Sequence, residues 1–175
     1  MREVILDHDI VEDTYTLCTD ALTLAGVDEA IDLIVPPALW LAERERLMQR
    51  SGKCGLWLET SESPEAVAND LPHLDLVVVH FAAFTDGRGH STARLLRERY
   101  HYRHELRAAG DVFKETLYYL SRCGFNAFAL RPGESLTQSL SGLDVFSEAY
   151  QTSVERQSPL FRRRLAQVPT EKTPS

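Results

Sequence analysis

The run Leu76-Val77-Val78-Val79 most limits what this chain can become. Three of its four residues are β-branched and favour a pleated backbone. A continuous apolar run, unlike an alternating one, calls for burial on both faces, as in a central strand of a parallel sheet. Parallel neighbours need crossover connections, usually helices, so a strand of this kind implies an α/β chain. Leu74 to Phe81 is read as that central strand.

The flanking sequence agrees. Ile31 to Val35 and Cys54 to Glu59 read as strands before it, and Glu105 to Ala109 and Phe125 to Leu130 as strands after it. Between them, Pro37 opens a helical stripe through Arg50, and Ser63 with Pro64 starts another helix. A third helix runs from about Thr92 to Tyr100. A fourth begins at an Asp111 cap and ends at Gly124. Val4-Ile5-Leu6, Asp7-His8-Asp9 and Ile10-Val11 form a β-hairpin, and residues 12–30 read as loop with some strand. Residues 145–150 read as an edge strand or short helix. The fold class is α/β, a mostly parallel sheet, open or a partial barrel, with an N-terminal hairpin and an extended C-terminal tail. Residues 1–152 form one domain and 153–175 the tail.

Composition removes several function classes. No apolar run is long enough to span a bilayer, and the amino terminus lacks a signal-peptide layout. Cys18, Cys54 and Cys123 are three in number and widely spaced, which fits neither a disulfide framework nor a zinc knuckle. Idle thiols in the cytoplasm are the expectation. The net charge of −7 argues against a nucleic-acid or membrane-surface binder. Yet residues 1–87 hold 5 basic and 17 acidic groups, whereas residues 88–107 hold 6 basic and 2 acidic ones. Such asymmetry marks a local anion site or an interaction face.

The candidate site lies there. Phe84-Thr85-Asp86-Gly87-Arg88-Gly89-His90-Ser91 joins the central strand to a helix, and ligands of α/β folds collect at the carboxyl ends of strands. Gly87 and Gly89 permit close backbone approach, Ser91 adds a hydroxyl, and Arg88 offers a planar fork for oxyanions. Arg94 and Arg97 are three apart and share a helix face, and Arg107 lies on the next strand. Asp86 and Asp111, from two strand ends, are the acid–base candidates. The same residues also read as turn, cap and solvated charge. His90, His101 and His104 do not make a metal-ligand pattern, since His101 and His104 straddle a helix end; no metal and no cofactor are expected. His80, at the end of the central strand, reads as a satisfied core histidine, with a place facing the rim as the alternative. In the tail, Pro159-Leu160-Phe161-Arg162-Arg163-Arg164 sets two apolar anchors beside three cations, the make-up of a docking peptide.

Several blocks in order carry a family resemblance. They are Phe84 to Gly89 with Ser91, Ala93-Arg94-Leu95-Leu96-Arg97, Glu105-Leu106-Arg107-Ala108, Gly110-Asp111 and Arg122-Cys123-Gly124-Phe125. The sequence resembles the bacterial domain-of-unknown-function family nine-thirty-four, commonly encoded beside assimilatory sulfite reductase. The resemblance departs at His101 and His104, where the family commonly has glycine. It implies a place in reductive sulfate assimilation, with sulfite reductase or its electron donor as partner. Three functions follow. The first is an accessory protein of that process, and the second a small-molecule enzyme acting on an anionic substrate such as an oxyanion. The third is an oligomerisation or scaffold domain that joins identical copies.

Overall fold

The computed structural model describes residues 2–143. The reading of residues 145–150 and that of Phe161, Arg162, Arg163 and Arg164 fall outside them. The hairpin of β1 (Glu3–Leu6) and β2 (Asp9–Glu12) turns through Asp7 and His8, both at positive φ. Then follow β3 (Thr16–Leu17), α1 (Ala21–Gly26), β4 (Leu33–Val35), α2 (Pro37–Ala42), α3 (Arg44–Met48) and β5 (Cys54–Glu59). After them come β6 (Leu76–Phe81), α4 (Arg88–Arg94), β7 (Glu105–Gly110), α5 (Lys114–Cys123), β8 (Ala127–Phe128) and α6 (Leu136–Leu140).

The eight strands form one sheet in the order β2-β1-β8-β7-β6-β5-β4-β3. β3 to β8 are parallel and adjacent in chain order; the hairpin is antiparallel. The order never reverses, so right-handed crossovers place every connecting helix on the same face. Burial agrees. The main core joins helix residues such as Leu39, Trp40, Leu96, Leu117 and Leu120 to Leu56, Leu58, Val77, Val79, Leu106 and Phe128 of the strands. A smaller core on the other face consists of Ile34, Leu76, Val78 and Ala109, packed with Tyr15, Trp57 and Ala129 and no helix.

Chain length makes the sheet curl. Eight flat strands would separate β2 from β3 by about 34 Å, at roughly 4.8 Å per neighbour. Yet only residues 13–15 join those two edge strands, a link that reaches no further than about 15 Å. The sheet is therefore rolled into a half-barrel, and residues 13–15 cross its concave side. Asp13 N–H still bonds the Arg2 carbonyl just before β1, while Thr16 N–H already bonds Asp32 before β4.

Several local expectations change. The helix expected after Pro37 breaks at Glu43 into α2 and α3. Ser63 and Pro64 start only a short 3-10 turn, Pro64–Val67. α4 begins at Arg88, four residues earlier than read, and continues as a π-helical turn over Leu95–Arg99. The cap of α5 is Phe113, not Asp111. α1, capped by the Asp20 carboxylate on Thr23 N–H, lies within residues read as loop and strand. No helix among the described residues is long and apolar enough to cross a membrane.

Candidate functional site

The carboxyl ends of β5, β6 and β7 carry Asp86, Arg88, Asp111 and His80 among the polar residues singled out above. After β6 the chain turns through Phe84 and Asp86 into α4. The Asp86 carboxylate accepts from Thr60 Oγ1, from Arg88 N–H at 3.2 Å and from the Arg88 guanidinium at 2.9 and 2.7 Å. The Arg88 hydrogen bonds, then that of Thr60, hold this carboxyl well below the usual carboxylate range. Asp111 accepts from Phe84 N–H at 3.1 Å and from Arg131 at 3.0 Å, which lower its pKa in that order. Asp86 thus ties its loop to Thr60 after β5, Asp111 ties the end of β7 to the loop after β6, and each is paired with its own arginine. Groups fixed as anions in this way are weak proton carriers near neutral pH.

The two glycines of the loop have different reasons. A Cβ on Gly89 would sit 2.4 Å from the Phe81 ring, so this glycine lets α4 press onto β6. A Cβ on Gly87 would meet nothing within 4 Å. Ser91 is exposed on α4.

The arginines do not converge. Arg94 is exposed, whereas Arg97 is buried and donates to the carbonyls of Gly124, Tyr102 and His104 and to Asn126 Oδ1. Those acceptors lie before or at the amino ends of β7 and β8, away from the loop after β6. Arg107 points to the concave side, where it pairs with Asp13 at 2.9 Å and Glu105 at 2.7 Å and is 4% exposed. Burial, then the charges of Asp13 and Asp7 acting against Arg107, leave Glu105 raised above its ordinary value. The single rim of arginines and carboxylates expected from sequence is therefore three separate clusters.

The histidines are likewise dispersed. His90 packs edge-on against Phe81 at 5.4 Å, and burial, then Arg94, lowers its pKa. His104 packs on Tyr102, and His101 is exposed at positive φ. Among the described residues no group of three His, Cys, Asp or Glu side chains is placed to hold a metal. All three cysteines are buried; the Cys18 and Cys54 thiols donate to backbone carbonyls, and burial raises the pKa of Cys54.

Register shows what the sequence reading passed over. Pairing sets Trp57 beside Val78 and Arg107, and one row higher sets Glu59 beside His80 and Ala109. Both rows line the concave side, and the upper one lies at the carboxyl ends of the strands. His80 Nδ1 is 2.8 Å from Glu59 Oε2, so the pair at the mouth is a carboxylate-oriented imidazole. The available signal was a polar residue closing each of two apolar strands, Leu58-Glu59 and Val79-His80.

On the opposite, helical side, Arg94, Arg99 and Arg103 are exposed. None of the ion pairs among the described residues includes them. With exposed His101 and His104, and with Glu98 the one acid between Arg94 and His104, they make the exposed surface of this stretch a basic face. A family model described as bacterial protein of unknown function (DUF934) matches residues 55–161, which include this face and both rows of the concave mouth. No curated protein matches the chain.

Proposed function

The chain belongs to the bacterial DUF934 family, and we propose that it is an accessory protein of reductive sulfate assimilation. It acts by binding sulfite reductase or its electron donor through the basic face of α4 and the residues that follow it. The process comes from the resemblance of the sequence blocks quoted above. The single observation behind the binding mode is that Arg94, Arg99 and Arg103 are exposed without a carboxylate partner among the described residues, while Arg97 and Arg107 are consumed internally. A guanidinium kept in water in an otherwise acidic chain is available to a partner's carboxylates, where charge complementarity steers association. The packed thiols favour a role without thiol redox chemistry.

The test is capture of purified sulfite reductase on the tagged protein at low salt. Wild type retains it, and Arg94→Glu/Arg99→Glu/Arg103→Glu loses it with an unchanged melting midpoint. Equal capture by both proteins, or by neither, would overturn the reading.

A further inference from the structure

A cleft lies at the carboxyl ends of β6 and β7, between the loop after β6 and α5, and uses none of Arg94, Arg99 and Arg103. Its volume is about 310 Å³, and Phe81, Phe84, Val112, Phe113, Tyr119 and Leu120 supply the apolar lining. The loop wall is set in advance. Asp111 accepts from Phe84 N–H at 3.1 Å, and the Phe84 ring meets that of Phe113 edge-on at 5.4 Å. Phe84 is nonetheless 52% exposed and Tyr119 64%, so two large rings of the lining face water. Such rings gain more from a further inclined ring than from solvent.

The rest of the lining is His90, Asp111, Glu115 and Thr116, with two carboxylates and neither lysine nor arginine. Asp111 is already held by Arg131 at 3.0 Å. Glu115 is exposed and enters none of the ion pairs among the described residues. The cleft therefore suits an apolar or aromatic side chain with a cation beside it. The chain carries such a segment in Pro159-Leu160-Phe161-Arg162-Arg163-Arg164, outside the described residues, and the family match runs as far as Phe161. Reach is ample. A Cβ on Gly142 would lie 2.5 Å from the Lys114 carbonyl, so the described chain ends against the first turn of α5. That same turn gives Glu115 and Thr116 to the cleft. A helix is about 10 Å thick, whereas residues 144–159 can span about 50 Å.

We propose that the cleft is the seat of the chain's own Pro159 to Arg164 segment, with Leu160 and Phe161 among the rings and the arginines that follow at Glu115. Tethering gives this segment an advantage over any free partner with the same side chains.

Methyl NMR of the full chain tests this. Val112 and Leu120 report on the cleft, and Leu33 and Val35, buried in β4, report on the fold. Phe161→Ser is expected to shift the first pair, because a ring is lost from beside them, and to leave the second pair still. A peptide of residues 157–166, added to that variant, is expected to return the first pair saturably towards its wild-type positions. Adding Glu115→Lys is expected to weaken the peptide about fivefold. If Phe161→Ser also moves Leu33 and Val35, a benzophenone side chain at position 161 decides: light then joins it to the loop of Phe84 or to α5 of the same chain. Unmoved cleft methyls would leave the cleft to another molecule and overturn the proposal. So would a peptide without effect, an affinity unchanged by Glu115→Lys, or a cross-link placed elsewhere or between two copies. None of these results depends on sulfite reductase.

Discussion

The two faces of the rolled sheet treat charge in opposite ways. Under the helices the strands contribute Leu56, Leu58, Val77, Val79 and Leu106, and burial of apolar surface holds the layers together. The concave side carries Asp13, Arg107, Glu105, Glu59 and His80 beside a small apolar cluster of Ile34, Leu76, Val78 and Ala109. A buried ion cluster is no stronger than apolar packing of the same volume, but it tolerates few geometries. The comparison teaches that the helical face gives the sheet its stability. The concave face fixes where the crossing of residues 13–15 must sit, and so how the sheet closes.

Breaking the cluster should have the largest effect. Arg107→Ala leaves the Asp13 and Glu105 carboxylates buried without a cation and is expected to cost about 3–5 kcal/mol in denaturant unfolding. Leu117→Ala, on the helical side, opens a cavity and should cost about 2–5 kcal/mol. The two differ in a second variant. Asp13→Leu/Glu105→Leu/Arg107→Met removes the whole cluster and should recover most of the loss, because nothing charged is then stranded. No second-site change near Leu117 that leaves the cavity empty should do so.

The glycines of the loop sharpen the contrast at smaller scale. Gly89→Ala forces a methyl into the Phe81 ring and is expected to cost about 1–3 kcal/mol. Gly87→Ala, with open space and an ordinary φ of −65°, should be neutral or stabilise by up to about 1 kcal/mol. The smallest effect is on pH dependence. Glu105 is raised in the folded state above 4.5, so the folded protein holds this proton more tightly than the unfolded chain. The contribution of that group to stability is therefore greatest at acid pH and declines as pH rises through the window above 4.5. Wild type should accordingly lose stability relative to Glu105→Gln over that window, and parallel pH curves would contradict the assignment.

The sheet was largely legible because its strands are continuous apolar runs. β5 is legible to its ends and β6 to within two residues from their apolar runs, and β7 to within one residue although Arg107 interrupts it. The roll was legible only as one of two alternatives, an open sheet or a partial barrel. It follows from a strand order that keeps all helices on one face, and single-strand periodicity carries no information about order. α1 escaped because six residues give too short a stripe, although Asp20 and Thr23 were in capping positions.

The site was legible by place but not by membership. The carboxyl ends of the strands do gather Asp86, Arg88, Asp111 and His80. Arg94 and Arg97 were expected to share a face from their spacing of three. The π turn that starts at Leu95 changes the rotation per residue, leaving Arg94 in solvent and Arg97 against backbone carbonyls. Residue type alone does not tell a guanidinium that binds carbonyls from one that awaits a partner. Glu59 and His80 become a pair only through the register of β5 and β6, which neither strand encodes by itself.

The division of labour between the faces is tested most directly by hydrogen–deuterium exchange of the full chain with and without sulfite reductase. The account predicts slowed exchange over Arg94 to His104 and no change in β5 and β6 around Glu59 and His80. Protection centred on the strand ends instead, or none anywhere, would contradict it.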